Sequence, residues 1–279
     1  MWKPCGLIEE LNPNLLFQKD VNIIFNILKI RKTKTDGILP DISNVKLINR
    51  DEISKFKTAK RCEEHATSRY LLYHMLAKYY PTLDLTSIEI NRDKNRAPYL
   101  NWINGTFNSK PLPNFSISTS GELAIVALSN PEYVVGVDIE KLNEKRSEHL
   151  LEFLSNGYEL EKIIEKNHII KDNWINQLWT VKESLLKALR LGMSISPTKI
   201  EVLKDNLEFK PIVEYENDKL FLETSIIEFN ENYSFSLAYR MTKKEEFETL
   251  SEADLEFKRK ISTKLSQGQY DFKLGCETN

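Results

Sequence analysis

Cysteine is scarce in this chain of 279 residues. Its three cysteines, Cys5, Cys62 and Cys276, are odd in number, and no two of them lie close together in the sequence. Such a distribution argues against a disulfide framework and against a zinc site built from cysteines. The cysteine usage therefore indicates a reducing compartment.

Long apolar runs are also missing. No stretch approaches the roughly 20 apolar residues that a membrane-spanning helix requires, and the first residues carry no apolar signal region. From these two features we expect a cytoplasmic protein with no membrane partner.

An excess of charge of one sign is absent as well. The formal net charge is -2, with 29% charged and 41% apolar residues. This balance is ordinary for a soluble globular protein, and it argues against a broad electrostatic grip on nucleic acid. Any basic binding surface must be local. The length allows one large domain or two smaller ones packed together.

Familiar catalytic motifs are missing too. The sequence has no evident serine–histidine pair, no poised cysteine and no glycine-rich Walker loop. The chemistry that remains is metal-assisted phosphoryl or phosphate-ester chemistry on a hydroxyl or water brought by the substrate.

The periodicity of apolar residues predicts both strands and helices. A half-buried strand is expected at 21–30, and a helix at 51–80 ends before a proline. The dense prolines of 91–114 indicate a loop. Two buried runs, 123–128 and 133–139, are expected to pair as a hairpin. The remaining predicted elements are helices at 146–166 and 172–191 and strands at 220–229 and 233–239.

Two stretches far apart carry the chemistry. In Gly136–Glu140 the carboxylates of Asp138 and Glu140 are two residues apart, so they share one face of the predicted strand. On the helix at 172–191, Glu183 and Lys187 stand one turn apart. Taken alone, a glutamate four residues before a lysine is most often a surface ion pair.

Together these carboxylates form an all-oxygen donor set. Mg²⁺ suits such a set because it accepts one to three carboxylates and completes its octahedron with water or phosphate oxygens. Three carboxylates around one dication leave a local charge of about -1, which repels a diphosphate unless basic residues compensate. The candidates for that compensation are Lys182, Lys187, Arg61 and Arg69.

Two further patterns have competing interpretations. Arg61, His65 and Arg69 follow one another at steps of four on the predicted helix; a solvated charged face is the commoner interpretation and an anion-binding ridge the alternative. Hydroxyls in the stretch that contains Ser118 and Thr119 suit a phosphate, although such segments are more often turns without a ligand.

The combination resembles the 4'-phosphopantetheinyl transferases of the broad-specificity, surfactin-synthetase-activating type. Gly136–Glu140 matches G-[IV]-D-[IL]-E, and Trp179–Lys187 matches W-[ST]-x-K-E-[SA]-x-x-K without a gap. Phe115–Ser120 matches F-[NS]-[IV]-S-H-S except at one position. Weaker similarity surrounds Arg69 and the loop Arg96–Leu100.

The resemblance implies roles for individual residues. Asp138, Glu140 and Glu183 would bind Mg²⁺, with Glu183 also the candidate base. Lys187 would contact the diphosphate of coenzyme A and act in catalysis. The residues expected to border coenzyme A are Arg61, Arg69, Arg96, Pro98, Ser118, Thr119, Lys182 and Lys187.

The resemblance also implies a fold and an activity. The expected fold is α+β, with two similar halves related by pseudo-twofold symmetry: 1–130 grips the nucleotide, 131–242 carries the metal and the catalytic helix, and 243–279 is a charged, helical tail. The expected activity is Mg²⁺-dependent transfer of 4'-phosphopantetheine from coenzyme A to a serine of an apo acyl or peptidyl carrier protein, with release of 3',5'-ADP. We expect a monomer with no nucleic-acid partner.

A basic and apolar patch near 182–193, including Arg190 and Met193, is expected to receive the acidic carrier.

One departure from the family pattern concerns Thr119. The family usually has a histidine there that contacts the 3'-phosphate, and threonine supplies a hydrogen bond but no positive charge. The expected consequence is either weaker affinity for the nucleotide or compensation by His65 or an arginine. The alternatives to a transferase are a non-catalytic homologue that binds coenzyme A or a carrier, and a metal-dependent nuclease or phosphodiesterase.

Overall fold

The described part of the chain is largely β-structure covered by helices. The structure is a computed structural model that describes residues 23–30, 41–42, 45–48, 50–103, 111–142, 149–165 and 172–243. The predicted helical tail therefore lies outside the described residues from position 244 on. Contacts group 1–241 into one compact unit, and 242–279 form a second. None of the described helices is long and apolar enough to cross a membrane.

The first sheet has three antiparallel strands in the order β1-β5-β4. These are β1 (Ile23–Lys29), β4 (Asn114–Ser120) and β5 (Leu123–Ser129). Every residue of β5 is buried, because β1 and β4 flank its edges and apolar clusters cover both of its faces. The alternating pattern that predicted the first strand is confirmed.

One helix covers the outer face of this sheet. After a short helix α1 (Arg50–Ile53), α2 (Ala59–Tyr79) begins at Thr58, whose side chain accepts a hydrogen bond from the amide of Arg61. Its apolar face packs on the first sheet through a cluster that includes Leu72 and Val126. The predicted helix at 51–80 is confirmed for most of its length, with a break between α1 and α2.

The predicted loop at 91–114 is wrong in part. A two-stranded antiparallel sheet joins β2 (Ile88–Arg92) to β3 (Pro98–Trp102). Pro98 is the first residue of its strand, a position that tolerates the missing N–H. The prolines therefore mark the strand's beginning and do not exclude the strand.

The second large sheet has four antiparallel strands in the order β6-β9-β8-β7. Its strands are β6 (Tyr133–Lys141), β7 (Ile212–Tyr215), β8 (Asp218–Phe229) and β9 (Glu231–Met241). The predicted hairpin of 123–128 with 133–139 is wrong: β5 already has two partners, so β6 pairs with β9 instead. The late strands predicted at 220–229 and 233–239 are confirmed.

Among the described residues, three α-helices lie between β6 and β7. α3 (His149–Leu154) and α4 (Gly157–Glu165) confirm the predicted helical stretch with its break, and α5 (Asp172–Leu189) confirms the predicted motif helix. α5 packs on the second large sheet through an apolar cluster that contains Leu178, Val181 and Leu185. The α+β fold class is confirmed, whereas the pseudo-twofold relation and the boundary at residue 130 stay predictions.

A shared core joins the two large sheets. Side chains from both, including Phe25, Ile125, Val137 and Leu237, form one buried cluster. Val137 and Ile139 point into this core, so the intervening Asp138 and the following Glu140 point to the other face of β6. This alternation places the two motif carboxylates on the side where α5 lies.

Candidate active site

Asp138 lies at the centre of the site and is only 3% exposed. Its Oδ1 accepts hydrogen bonds from Ser118 Oγ at 2.6 Å and from Lys187 Nζ at 2.7 Å. Its Oδ2 is buried and has no hydrogen-bond partner among the described residues. A buried carboxylate oxygen without a partner is costly, so this atom is the position in the site where a ligand is expected.

Serine hydroxyls on β4 face β6 at every second residue. Ser116 Oγ accepts from the amide of Val137 at 3.0 Å, and Ser120 Oγ accepts from the amide of Lys141 at 3.1 Å. Ser118 bonds to Asp138 between these two contacts. Because later serines of β4 contact later residues of β6, the two strands run in the same direction. The serines therefore align β4 of the first sheet with the motif strand of the second.

Glu140 is held by one residue of β4 and one residue of α5. Its Oε2 accepts from Ser120 Oγ at 3.0 Å, and its Oε1 accepts from Trp179 Nε1 at 3.2 Å. Trp179 stands one turn before Glu183 on α5. The first residue of the helix motif thus orients the last residue of the strand motif.

Lys187 connects α5 to both strands. Besides Asp138, its ammonium donates to the carbonyl of Val137 at 3.0 Å and to that of Ile117 at 3.4 Å. Its side chain is 27% exposed, compared with 5% for that of Asp138. The ammonium group is therefore fixed beside the buried carboxylate while part of the side chain remains open to solvent.

Glu183 is half-buried and lies near the other two carboxylates. Burial raises the pKa of Glu183, the ammonium of Lys187 opposes that rise, and the negative charges of Asp138 and Glu140 add to it. Because all three groups act on its pKa, the structure brings the three predicted carboxylates into one electrostatic site.

Gly136 allows α5 to approach β6 closely. A Cβ atom at this position would lie 2.0 Å from the carbonyl oxygen of Ser184 and 2.5 Å from the amide nitrogen of Ala188. Both atoms belong to the helix backbone, so no side-chain rotation relieves the contact. The glycine of the strand motif therefore determines where Glu183 and Lys187 lie relative to Asp138.

The donor chemistry of the site fits a hard cation. Three carboxylates and one unpartnered oxygen are the groups that Mg²⁺ prefers. However, no three acidic, histidine or cysteine side chains in the described ranges already stand close enough together to hold a metal ion. The residues are thus collected near one another without forming a finished coordination shell.

Comparison with known proteins agrees with this geometry. A family model described as the 4'-phosphopantetheinyl transferase superfamily matches residues 134–258, and one described as 4'-phosphopantetheinyl transferase, N-terminal, matches residues 33–131. The chain belongs to the 4'-phosphopantetheinyl transferase superfamily.

Curated proteins whose names include phosphopantetheinyl transferase match this chain at low sequence identity. The L-aminoadipate-semialdehyde dehydrogenase-phosphopantetheinyl transferase of Xenopus laevis is 30% identical over 145 residues, which are 49% of this chain and 46% of the relative. The protein of that name from Homo sapiens is 25% identical over 183 residues, 62% of this chain and 57% of the relative. The chain spans about half the length of the curated relatives it matches.

Lys182, which we predicted to bind coenzyme A, lies elsewhere. It is 0% exposed, and its Nζ donates to Glu159 Oε2 at 2.6 Å and to the carbonyls of Pro197 and Ile200 at 3.3 and 2.8 Å. Burial lowers the pKa of Lys182, and the carboxylate of Glu159 opposes that decrease. The prediction is wrong because this position of the superfamily helix motif faces the core, so the ammonium group cannot reach a diphosphate.

A second charged cluster surrounds Glu52. Its Oε1 accepts from Arg92 Nε at 2.8 Å, and its Oε2 lies 3.8 Å from Arg69 and 3.9 Å from His65. Arg69 is 5% exposed, and burial lowers its pKa to about 10, so it stays cationic at neutral pH. The predicted stripe of basic residues is therefore buried at Arg69, although not at Arg61, whose side chain is 62% exposed and pairs with Glu64.

His65 does not supply the positive charge that we expected of it. Burial and the neighbouring Arg69 lower the pKa of His65 to about 3, which leaves the imidazole neutral at physiological pH. A charge from His65 is therefore excluded, whereas compensation for Thr119 by an arginine stays a prediction. Thr119 itself lies on the face of β4 that packs towards α2, opposite to Ser118.

The remaining predicted nucleotide residues lie in the turn between β2 and β3. Arg96 is exposed with a positive φ of 67°, and its carbonyl accepts from Arg92 Nη1 at 3.1 Å. The carbonyl of Pro98 is 3.5 Å from Arg190 Nη2. The role of this turn at the nucleotide stays a prediction.

Sequence reasoning missed several residues at the site. Ser120 was detectable, because it follows Ser118 at the spacing that shares one face of a strand. Glu52 and Arg92 carried no such signal, since they meet across 40 residues of chain. Arg190 was predicted only as part of a carrier patch, and its contact with Asp93 was not foreseen.

Proposed function

We propose that this chain transfers the 4'-phosphopantetheine group of coenzyme A to a serine of an apo carrier protein and releases 3',5'-ADP. The observation that supports this most directly is Asp138, held between Ser118 and Lys187 with one buried oxygen unpartnered. Glu140 and Glu183 lie beside it. Superfamily membership supports the same reaction class.

The proposed metal is Mg²⁺, held by Asp138, Glu140 and Glu183. The unpartnered Oδ2 of Asp138 and the mutual influence of the three carboxylates support this donor set. When bound, such an ion supplies positive charge to the oxygens of the diphosphate.

Two side chains have proposed roles in the transfer itself. Glu183 accepts the proton of the carrier serine, and its raised pKa makes it a stronger base than an ordinary glutamate. The serine oxygen then forms a bond to the phosphorus attached to pantetheine, and the bond from that phosphorus to the bridging oxygen breaks. Lys187 stabilises the negative charge that develops on the leaving 3',5'-ADP.

The substrate range belongs to the proposal as well. We infer the broad-specificity type from the sequence motifs, and the names of the relatives add a second candidate acceptor, an L-aminoadipate-semialdehyde dehydrogenase. A panel of apo acyl and peptidyl carriers together with that protein distinguishes a broad from a narrow range. We propose that the active form is a monomer.

The deciding experiment follows the mass of the carrier. Purified protein, coenzyme A, Mg²⁺ and each apo carrier are incubated, and the phosphopantetheine adduct is measured by mass spectrometry. We expect transfer to at least one carrier, and a loss of about 100-fold or more in D138N and E183Q. E228Q changes an exposed glutamate on β8 and serves as the matched control, with unchanged transfer expected.

A second candidate is a non-catalytic binding homologue. It is favoured by the ion pair of Lys187 with Asp138, which leaves less positive charge for a diphosphate, and by Thr119. Calorimetry separates the two: binding of coenzyme A without transfer to any folded carrier would support the binding homologue and contradict the transferase.

A further inference from the structure

The C-terminal end of α5 has an arginine where helices usually have glycine. The amide of Arg190 donates to the carbonyl of Lys187 at 3.0 Å, and the amide of Leu191 donates to that of Leu186 at 3.2 Å. These two bonds form a Schellman motif, whose left-handed residue is usually glycine. Arg190 has φ 57°, a conformation that L-residues rarely adopt. Such an outlier indicates that its side chain has a role.

The guanidinium group of Arg190 reaches the turn between β2 and β3. Its Nε lies 3.5 Å from Asp93 Oδ2, its Nη2 lies 3.5 Å from the carbonyl oxygen of Pro98, and the group stacks over the ring of Tyr99 at 5.9 Å. Its Nη1 donates to Asn114 Oδ1 on β4 at 3.4 Å. The side chain is 18% exposed, so this set of contacts is better shielded than an ordinary surface pair.

The turn that receives Arg190 is organised by the same aspartate. Asp93 Oδ1 accepts from the amides of Asn95 and Ala97, both at 2.9 Å. Asn95 Nδ2 in turn donates to the carbonyl of Arg190 at 3.1 Å. One carboxylate thus shapes the turn with one oxygen and faces the helix end with the other.

We propose that Arg190 is a positioning residue that holds the β2–β3 turn against the end of α5. Because Lys187 stands one turn earlier on that helix, the contact fixes the distance between Lys187 and the turn containing Arg96–Pro98. The inference rests on the proposed function, in which Lys187 contacts the diphosphate and the turn borders the nucleotide. The sequence placed Arg190 in a patch for the carrier, and that role stays a prediction beside its observed contact with Asp93.

The test uses substitutions at both ends of the contact. R190G removes the guanidinium while supplying the residue that a left-handed helix end favours, so the thermal midpoint should not fall. R190A removes the same side chain but keeps the backbone strain, and it should melt below R190G. D93N keeps the oxygen that accepts from Asn95 and Ala97 while replacing the one that faces Arg190.

We expect the substitutions to change KM for coenzyme A but not kcat. R190G and D93N should each raise KM for coenzyme A about fivefold, the effect of one lost interaction of ordinary strength, with kcat and KM for the carrier within twofold of the original values. The double variant should resemble either single variant. Hydrogen exchange at the amides of 92–99 should become faster in R190G, whereas exchange in β9 should not change.

Other results would overturn the proposal. An unchanged KM for coenzyme A in R190G, or equal increases in the KM values of coenzyme A and of the carrier, would show that the contact does not position the nucleotide turn. If the wild-type protein transfers nothing to any carrier, the proposed function fails. Calorimetry with coenzyme A then decides the role of Arg190: fivefold weaker binding in R190G supports it, and unchanged binding overturns it.

Discussion

The two carboxylate oxygens of Asp138 lie in different environments. Its Oδ1 is bound by a hydroxyl and an ammonium group, whereas its Oδ2 is buried and unpartnered. A charge-assisted hydrogen bond to Lys187 occupies one oxygen of the carboxylate and leaves the other as a ligand for a cation. The ion pair therefore holds Asp138 in place, although the ammonium group of Lys187 also makes the site less negative.

His65 supports a prediction about pH. Its pKa is about 3 in the folded protein and about 6.5 when unfolded, so between these values the unfolded chain binds a proton that the folded protein does not. The free energy of unfolding should therefore be fully retained above about pH 6.5 and decrease as the pH falls below it, by up to about 1.4 kcal/mol per pH unit from this group. Urea titrations of wild type and H65Q between pH 7.5 and 5 measure the difference.

The matched control for this prediction is H149Q, which removes a histidine whose side chain is 91% exposed. The wild-type advantage over H65Q should shrink towards pH 5, while the difference between wild type and H149Q should stay flat. A pH-independent difference for H65Q would contradict the neutral, buried state of His65.

At the scale of elements, the contact of α5 with β6 depends on Gly136. G136A would place a methyl group 2.0 Å from a backbone carbonyl of the helix, so α5 must move. We expect destabilisation of about 2 kcal/mol or more from overpacking. Transfer should also be lost, because Glu183 and Lys187 move with the helix. Thermal melting and the carrier mass assay measure the two effects.

Gly157 provides the control for that substitution. It has φ 49°, and a Cβ there meets nothing within 4 Å. G157A should therefore show only the strain of a left-handed alanine, about 1 kcal/mol, with transfer unchanged. If G136A kept full transfer, the close approach of α5 to β6 would not be what positions the site.

The opposite face of α5 is anchored by Lys182. K182M would leave the carboxylate of Glu159 buried without its charge partner, which typically costs about 3–5 kcal/mol. The double variant K182M/E159Q should recover part of that loss. K199M, at an exposed lysine, should change stability by less than about 0.5 kcal/mol. Chemical denaturation measures all three.

Kinetics test the same residue in a different way. At a temperature where K182M is folded, KM for coenzyme A should equal that of wild type, since Lys182 faces the core. A raised KM with unchanged stability would contradict the structural role and restore the predicted contact with the diphosphate.

At the scale of the whole molecule, the two large sheets meet along β4 and β6. Side-chain hydroxyls of β4 satisfy amides of β6 at this junction, as Ser116 does for Val137. S116A would leave a buried amide without an acceptor, and we expect a loss of about 1–3 kcal/mol. S225A, at an exposed serine of β8, is the control and should stay within about 0.5 kcal/mol of wild type. Equal stabilities of the two variants would contradict the bridging role of the serines.

Local patterns allowed a large part of the fold to be predicted. The period of two in 133–139 correctly placed Asp138 and Glu140 on one face, and the period of three to four in 172–191 correctly placed Glu183 beside Lys187. These predictions succeeded because each depends only on neighbours within one element. The predicted hairpin was wrong because the pairing of a strand depends on which other strands compete for its edges. An apolar run in the sequence does not indicate which strand it pairs with.

By itself the sequence determined the two motifs and the faces on which their carboxylates lie. Only the tertiary structure decided that Lys182 is buried against Glu159, that His65 is neutral and that Arg190 reaches Asp93. The physical reason is that a charged side chain takes its role from burial and from its nearest opposite charge. Both are properties of the packed molecule, and neither has a period along the chain.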